Sequence, residues 1–204
     1  MTVIVLGTSG FAVELADVLA DMGRRVEGFV GLEPDCVLPG PWLGGDEVLE
    51  GTPRDADYLI AVGKPTLRRR LAENLRRLGL RYGRCVHPAA WVAAGAEVGE
   101  GVIVYPNATV HARVRLGTGV MVNSNVSIGH ETSIGAFSTI SPGVSLAGRM
   151  TIGEETWWGI GASGIELLSV ASGTLIGGGA TVVRDIAAAG TWVGTPARRM
   201  GGGR

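Results

Sequence analysis

The chain has 204 residues and a mass of 21.1 kDa, which is enough for one large domain or two small ones. Hydrophobic residues make up 46% of the sequence, charged residues 18%, and the net charge is −1, so a disordered chain and a nucleic-acid-binding chain are both excluded. Glycine accounts for 34 residues without a Gly-X-Y period, which excludes collagen and predicts many turns between short apolar strands.

The cysteine content and the first twenty residues indicate the cellular compartment in which we expect the protein. Cys36 and Cys85 are too few for a disulfide framework or a four-cysteine zinc site, and we expect them to be reduced thiols. Residues 1–20 have no basic start, and no apolar run in the chain approaches the ~18 residues of a membrane span. We therefore expect a cytoplasmic protein without a signal peptide or a membrane span.

Residues 1–85 alternate between strand and helix patterns. The predicted segments, in chain order, are strand Val3–Leu6, a helix from Phe11 to Met22, strand Val26–Val30, loop Gly31–Gly45, strand Tyr58–Val62 and a helix from Pro65 to Leu78. Gly23 and Gly79 follow the two helices as stop signals. Alternating strands and helices predict an α/β domain with a parallel sheet and right-handed crossovers.

Five arginines on the second predicted helix lie mostly off its apolar stripe, namely Arg68, Arg69, Arg70, Arg76 and Arg77. We interpret them as a solvated helix face, with contact to a phosphate as the alternative.

From Val86 onward the sequence has a period of six, which continues through seventeen hexads over 102 residues to position 187. The first aliphatic positions of the series are Val86, Val92, Val98, Val104, Val110, Leu116, Val122, Ile128, Ile134, Ile140, Leu146 and Ile152. The series breaks at Trp158 and Gly164 and resumes in phase at Val170. We interpret each hexad as one short strand and a tight turn, so that three hexads form a triangular coil of 18 residues.

This pattern resembles the hexapeptide-repeat left-handed parallel β-helix. The chain is thus expected to contain an α/β domain at 1–85, a Rossmann-like βαβ unit, followed by a β-helix at 86–187. Residues 188–204 are expected to form a C-terminal cap and tail.

The three histidines, His87, His111 and His130, are separated by 24 and 19 positions. Zinc carbonic anhydrases built on the same solenoid resemble one another in a His-x4-His pair, which this chain lacks, so no metal site is predicted. His87 precedes Pro88 where the two predicted domains join, and we assign it to linker packing. We interpret His111 as structural.

His130 has a different setting, in the sequence Ile128-Gly129-His130-Glu131 at the third position of a hexad, where the turn presents side chains outward. Histidine titrates close to neutral pH and is suited to take a proton from an amine. A carboxylate next to it holds the ring and favours the imidazolium form. The residues alone leave open whether His130 is a general base or a surface side chain.

The whole chain resembles the bacterial sugar-nucleotide N-acetyltransferases of the sialic-acid, bacillosamine and perosamine type. The resemblance rests on Val5-Leu6-Gly7-Thr8-Ser9-Gly10, Ile60-Ala61-Val62-Gly63, Ile128-Gly129-His130-Glu131, Ile176-Gly177-Gly178-Gly179-Ala180-Thr181 and Val193-Gly194-Thr195-Pro196-Ala197. It implies a small nucleotide-binding domain before a left-handed β-helix, a homotrimer, acetyl-CoA as co-substrate and a nucleotide-linked amino-sugar as acceptor.

The resemblance also implies roles for single residues. His130 falls on the catalytic base, Glu131 on the carboxylate that orients it, and Asn123 on a polar residue of the acceptor site. The residues that it implies around acetyl-CoA are Gly148, Ile160 and Gly178, and those around the nucleotide are Ser9, Gly10 and Gly63.

Three positions depart from the family. Phe11 stands where relatives have a histidine, Gly31-Leu32 where they have acids, and Thr139 where they have a histidine that contacts acetyl-CoA. We therefore expect at least two polar contacts to the nucleotide to be missing. Either the pocket uses other contacts, with Phe11 stacking on a base or a sugar, or the natural acceptor is not a standard nucleotide sugar. The turn Gly7–Gly10 lacks the full G-x-G-x-x-G fingerprint, so a redox Rossmann enzyme is not expected.

The expected reaction is acetyl transfer from acetyl-CoA to the amino group of the sugar, with His130 as the base and a backbone N–H near Gly148 as the oxyanion donor. Two alternatives remain open: O-acetylation of a sugar hydroxyl by the same histidine, and a non-catalytic scaffold that binds sugar nucleotides.

Overall fold

The computed structural model describes residues 2–201, and the last three residues of the expected tail lie outside the described residues. The first domain is a parallel sheet with the strand order β3-β2-β1-β4-β5. Its elements are β1 (Val3–Leu6), α1 (Gly10–Asp21), β2 (Val26–Val30), β3 (Trp42–Gly44), a 3₁₀ helix (Asp46–Gly51), β4 (Asp57–Ile60), α2 (Pro65–Leu78) and β5 (Arg81–Tyr82).

Both faces of this sheet are covered, because alternate residues of the central strand enter different cores. Val3 and Val5 pack with α1, whereas Ile4 and Leu6 pack with α2. A strand that is buried on both faces accounts for the uninterrupted apolar run at Val3–Leu6. The Rossmann-like α/β domain predicted from the sequence is confirmed.

One prediction for this domain is wrong. The segment Gly31–Gly45 is not entirely loop, because Trp42–Gly44 forms the edge strand β3 beside β2. The Phe29 N–H donates to the Pro41 carbonyl and the Gly31 N–H to the Gly44 carbonyl, both at 2.9 Å. A three-residue edge strand between glycines and prolines has no period of its own, and pairing with β2 creates it.

The second domain contains seventeen strands of two residues each. They are β6 (Cys85–Val86), β7 (Trp91–Val92), β8 (Glu97–Val98), β9 (Ile103–Val104), β10 (Thr109–Val110), β11 (Arg115–Leu116), β12 (Met121–Val122), β13 (Ser127–Ile128), β14 (Ser133–Ile134), β15 (Thr139–Ile140), β16 (Ser145–Leu146), β17 (Thr151–Ile152), β18 (Trp157–Trp158), β19 (Ser163–Gly164), β20 (Ser169–Val170), β21 (Leu175–Ile176) and β22 (Thr181–Val182). The cap follows as β23 (Thr191–Val193) and β24 (Arg198–Arg199).

Every third strand pairs in parallel, which creates three faces. Face 1 contains β6, β9, β12, β15, β18 and β21; face 2 contains β7, β10, β13, β16, β19 and β22; and face 3 contains β8, β11, β14, β17 and β20. Paired residues are 18 positions apart, as Val110 opposite Ile128 illustrates. This register confirms the three-hexad coil of the left-handed β-helix.

The break in the period at Trp158 and Gly164 reflects complementary volumes inside one coil. Trp158 points inward and is fully buried. A Cβ at Gly164 would lie 3.2 Å from the Trp158 ring and 2.6 Å from the Met150 methyl group. The missing side chain at Gly164 thus makes room for the indole, and the coil stays in phase.

The turns stack into three corners, which we name for later use. The His130 corner, between faces 2 and 3, contains the turns at 94–95, 112–113, 130–131, 148–149 and 166–167. The domain corner, between faces 3 and 1, contains those at 100–101, 118–119, 136–137, 154–155 and 172–173. The third corner, between faces 1 and 2, contains those at 88–89, 106–107, 124–125, 142–143, 160–161 and 178–179.

The α/β domain packs against face 1 and the domain corner. Ile103 and Met121 of face 1 belong to the same apolar core as α1. His87 lies at the junction, where its Nε2 is 2.7 Å from Asp21 Oδ2 and its Nδ1 accepts from the Ala89 N–H. Linker packing is therefore the role that the structure gives to His87.

Arg68 corrects the interpretation of the α2 arginines as a solvated face, because it is 1% exposed. Its guanidinium donates at 2.6–3.1 Å to the carbonyls of Val62, Gly63, Gly119, Phe137 and Ser138 and to the Thr139 hydroxyl. Within the described residues no carboxylate pairs with it. Burial lowers the pKa of Arg68 to about 10, so the group remains charged at neutral pH.

Arg69 also joins the two domains. It pairs with Glu154 at 2.6 Å and with Glu155, and its guanidinium lies 4.6 Å from the centre of the Phe137 ring. The helical period identified the apolar stripe of α2 correctly. It did not indicate that the polar face of α2, with Arg68 and Arg69, also packs against the β-helix.

Candidate active site

His130 and Glu131 occupy one turn of the His130 corner, between β13 and β14. The Nδ1 atom of His130 lies 3.0 Å from Glu131 Oε2, and the His130 side chain is 55% exposed. An ionised carboxylate only accepts hydrogen bonds, so this contact assigns the ring proton of neutral His130 to Nδ1. Nε2 is then free to accept a proton from a bound molecule.

Two arginines hold the Glu131 carboxylate. Arg113 donates to Oε1 at 2.9 Å, and the Nε of Arg149 donates to Oε2 at 3.1 Å. The hydrogen bond from Arg149, the one from His130 and the charge of Arg113 lower the pKa of Glu131 to about 2. The carboxylate next to His130 is therefore ionised throughout the physiological pH range.

Gly148 lies directly beside the free nitrogen of His130. A Cβ at this position would be 2.8 Å from His130 Nε2, so any side chain here would displace the ring. The Gly148 N–H makes no hydrogen bond to another described residue, whereas its carbonyl accepts from Leu167 at 3.1 Å. The expected oxyanion donor thus lies close to the expected base.

A cleft of about 350 Å³ opens next to this pair. It is lined by His130, Gly148, Arg149, Glu166 and Leu167, together with Ala147. All of these belong to the His130 corner or to the adjoining end of face 2. Arg113, Arg149 and Glu166 were not among the residues expected at the site. Their positions nevertheless follow from the 18-residue coil, because Arg113 and Arg149 are each 18 residues from Glu131 and Glu166 is 36 residues from His130.

A second cavity, of about 540 Å³, lies at the carboxyl ends of β1, β2 and β4. Ser9 and Gly63 line it as expected, and ligands of open α/β sheets bind at this place in the fold. Gly10 begins α1, whose first turn has free backbone N–H groups able to hold a phosphate.

Charged residues line this cavity, although Gly31-Leu32 supply no acid directly after β2. Its lining residues include Glu33, Asp35, Asp46, Glu47 and Arg70. The two acids at 46–47 follow the edge strand that the sequence analysis took for loop, which is why they escaped notice.

Phe11 has a packing role in the structure. Its half-buried ring contacts Gly63, where a Cβ would lie 2.9 Å from the ring edge, and it is not among the residues that line the cavity. The expectation that Phe11 stacks on a nucleotide is therefore not supported.

Asn123 and Thr139 lie apart from His130, on face 1. Asn123 is 3% exposed and donates its amide to the Ile140 carbonyl at 3.1 Å. Thr139 is fully buried, where its hydroxyl donates to the Gly63 carbonyl at 2.9 Å and accepts from Arg68. The expected side-chain contact of Thr139 with acetyl-CoA is corrected to a link between the domains, and Asn123 has little surface left for an acceptor.

Ile160 and Gly178, which the resemblance implies around acetyl-CoA, are both exposed at the third corner. The Ile160 side chain is 69% exposed, unusual for an isoleucine. Gly148 belongs to the His130 corner instead, so one chain does not bring the three expected acetyl-CoA residues together.

Over residues 2–201 no three His, Cys, Asp or Glu side chains are grouped as metal ligands would be. No helix within the same residues has the length and apolar character that crossing a bilayer requires.

Residues 2–75 match the family described as the PglD N-terminal domain. Among solved structures, the acetyltransferase domain of PglB from Neisseria gonorrhoeae FA1090 is 33% identical to the chain, with a TM-score of 0.93 over 98% of this chain and 99% of that one. The same domain in complex with acetyl coenzyme A is 32% identical, with a TM-score of 0.93 over 98% of both chains.

A mutant of perosamine N-acetyltransferase from Caulobacter crescentus, in complex with CoA and GDP-perosamine, is 27% identical. Its TM-score is 0.95 over 99% of this chain and 98% of that one. No curated protein matches the sequence significantly. The similarity extends over both domains, and the chain belongs to the hexapeptide-repeat family of bacterial sugar-nucleotide N-acetyltransferases.

Proposed function

We propose that the chain transfers the acetyl group of acetyl-CoA to the amino group of a nucleotide-linked amino-sugar, with His130 as the general base. As a member of this family it is an acetyl-CoA-dependent acetyltransferase. The role of His130 as the base rests on one observation: in its turn, Glu131 holds Nδ1 of the ring, and Gly148 leaves Nε2 open to a cleft.

In the proposed step, His130 Nε2 takes a proton from the amine while the amine nitrogen attacks the thioester carbonyl. The N–C bond forms, and the carbonyl oxygen gains negative charge that the Gly148 N–H is placed to stabilise. The C–S bond then breaks, and the imidazolium returns its proton to the sulfur of the leaving CoA. Glu131 stabilises the charged ring between these two proton transfers.

We assign the nucleotide to the cavity at the ends of β1, β2 and β4. Backbone N–H groups at the start of α1 suit a diphosphate, and the carboxylates of the cavity wall suit the N–H groups of a base and the hydroxyls of a ribose. Ser9, Gly10 and Gly63 remain the proposed residues around the nucleotide, joined by Arg70.

We propose a homotrimer because the site is divided within one chain. The nucleotide cavity belongs to the domain that covers face 1 and the domain corner, whereas His130 lies at another corner of the prism. Gly148 lies at the His130 corner, and Ile160 and Gly178 lie at the third corner. A closed ring of three chains brings the His130 corner of one chain to the third corner of the next.

The proposed trimer, three chains of 21.1 kDa each, has a mass of about 63 kDa. Sedimentation equilibrium is expected to give this mass, and an active monomer would contradict the divided site. We further propose that the enzyme works in the cytoplasm, in keeping with its two unpaired cysteines.

The function is tested by acetyl-CoA-dependent thiol release across UDP-, GDP- and dTDP-linked amino-sugars. Each amino-sugar is paired with the nucleotide sugar that carries a hydroxyl in place of the amine. We expect turnover with at least one amino-sugar and little with its hydroxyl counterpart, whose oxygen is a weaker nucleophile. Preference for the hydroxyl partner would make the enzyme an O-acetyltransferase, and thiol release from none of the panel would contradict the assigned acceptor class.

A further inference from the structure

In the stacked turns after residue 100 the second residue has a left-handed backbone, and the residue types that occupy it differ between corners. At the third corner these positions are Asn107, Asn125, Gly143, Gly161 and Gly179, all of residue types that tolerate a positive φ. At the His130 corner four successive positions carry other residues, with φ of 59° at Arg113, 61° at Glu131, 60° at Arg149 and 64° at Leu167. A left-handed conformation is unfavourable for such side chains, and strain of this kind is concentrated at functional sites.

Three of these four side chains form a charge ladder along the corner. Arg113, Glu131 and Arg149 are 18 residues apart, so they occupy adjacent coils and their charges alternate. Both carboxylate oxygens of Glu131 are engaged, Oε1 by Arg113 and Oε2 by Arg149 and His130. Glycine or asparagine at 113 and 149 would relieve the backbone and abolish this arrangement.

We propose that Arg113 and Arg149 are positioning residues for the acetyl transfer. This inference rests on the proposed function of His130. A glutamate side chain that neighbours its histidine in sequence has several rotamers, few of which direct an oxygen at Nδ1. Two guanidinium donors from the coils below and above confine the carboxylate to one of them, and the ring of His130 is then held with Nε2 toward Gly148.

The sharpest test replaces Arg149 by glycine, because this change is expected to lower activity without lowering stability. Arg149→Gly removes one donor to Glu131, and kcat is expected to fall about three- to tenfold with the KM for acetyl-CoA unchanged. The unfolding temperature is expected to stay close to that of wild type, because glycine adopts a φ of 60° without strain and this relief offsets the lost ion pair with Glu131.

Glu155→Gly is the matched control, since it places glycine in the same left-handed turn at the domain corner, which the proposed site does not use. Its kcat is expected to stay at the wild-type value, while its unfolding temperature is expected to fall because Glu155 pairs with Arg69 of the α/β domain. A merely structural role for Arg149 would give Arg149→Gly the same pattern, a lower unfolding temperature with an unchanged kcat, and that result would overturn the proposal.

A double-mutant cycle with Glu131→Gln then shows whether Arg149 acts through Glu131. In the Glu131→Gln background, Arg149→Gly is expected to have little further effect on kcat. An equal loss in both backgrounds, or a raised KM for acetyl-CoA with kcat unchanged, would mean that Arg149 contacts the co-substrate directly and would overturn the proposal.

His130→Ala, measured beside these variants, distinguishes failure of the positioning role of Arg149 from failure of the proposed function of His130. If His130→Ala abolishes turnover while Arg149→Gly retains the wild-type kcat, the positioning role is wrong and the proposed function stands. If His130→Ala itself turns over at the wild-type rate, the proposed function fails, and the positioning role fails with it.

Discussion

The His130 corner and the domain corner have the same backbone turn but use charge in different ways. At the His130 corner, Arg113 and Arg149 flank an ionised Glu131 at the surface of the protomer. At the domain corner, the guanidinium of Arg68 is buried and is satisfied almost entirely by backbone carbonyls. The comparison teaches that the corners share one backbone scaffold, and that the side chains determine whether a corner joins two domains or, as we propose for His130, takes part in catalysis.

The left-handed turn residues support this contrast. At the domain corner only Phe137 and Glu155 depart from glycine among the left-handed positions, and both of them contact Arg69 of the α/β domain. At the His130 corner the departures surround His130, the proposed general base, instead. A left-handed residue of the β-helix that is neither glycine nor asparagine thus makes a charged or aromatic contact that those two residues cannot make. Leu167 is the exception, and it lines the cleft.

The largest effect on stability is expected at the domain corner. Arg68→Met leaves several buried carbonyls without a donor, and at ~1–3 kcal/mol for each such group we expect a loss of roughly 3–5 kcal/mol in the free energy of unfolding. Urea unfolding at a fixed protein concentration measures this loss. Arg77→Met, an exposed arginine of the same helix, is the control and is expected to change little. Equal stabilities for the two variants would refute the cohesive role of Arg68.

A smaller effect, on rate and not on stability, is expected for Gly148→Ala. The new Cβ would lie 2.8 Å from His130 Nε2 and displace the ring, and a misplacement near 1 Å reduces kcat by about 10- to 100-fold. The unfolding midpoint is expected to change little, because the ring is exposed and can move. Gly95→Ala, in open space at the same corner, is the control for steady-state kinetics. Unchanged kcat in Gly148→Ala would disprove the close fit of Gly148 and His130.

The smallest effect is a pH dependence from Glu131. Its pKa is lowered from 4.5 to about 2 in the folded protein, so its stabilising contribution is present above pH 4.5 and is lost as the pH falls toward 2. Wild type is therefore expected to exceed Glu131→Gln in stability at neutral pH, and the difference is expected to shrink between about pH 4.5 and 2. A difference that is constant over that range would show that the ion pairs of Glu131 do not stabilise the fold.

The contrast between the corners also explains which parts of the fold and of the candidate site could be predicted from the sequence. The hexad period predicted the coil and its register, because each inward aliphatic position has a fixed place in a repeat that no insertion interrupts. It predicted the exposed turn of His130 and Glu131 for the same reason. The positions of Arg113 and Arg149 beside Glu131 follow from the same register, since residues 18 apart share a corner.

The contacts between the domain corner and α2 could not be predicted from the hexad period. Arg68 lies off the apolar stripe of α2, and a helical period cannot show that a second domain packs against the polar side of a helix. The burial of Thr139 has the same origin, because its hydroxyl contacts Gly63 and Arg68 of the α/β domain. The edge strand Trp42–Gly44 likewise depends on a partner strand and not on its own three residues.

The central claim is that the turn of His130 performs the chemistry while the domain corner provides cohesion. The most direct test is kcat for acetyl transfer in His130→Ala, together with its unfolding midpoint. We expect kcat to fall by ~10²–10⁴-fold, the usual worth of a general base, with an unfolding midpoint close to that of wild type because the side chain is exposed. A wild-type kcat in a folded His130→Ala protein would contradict the account.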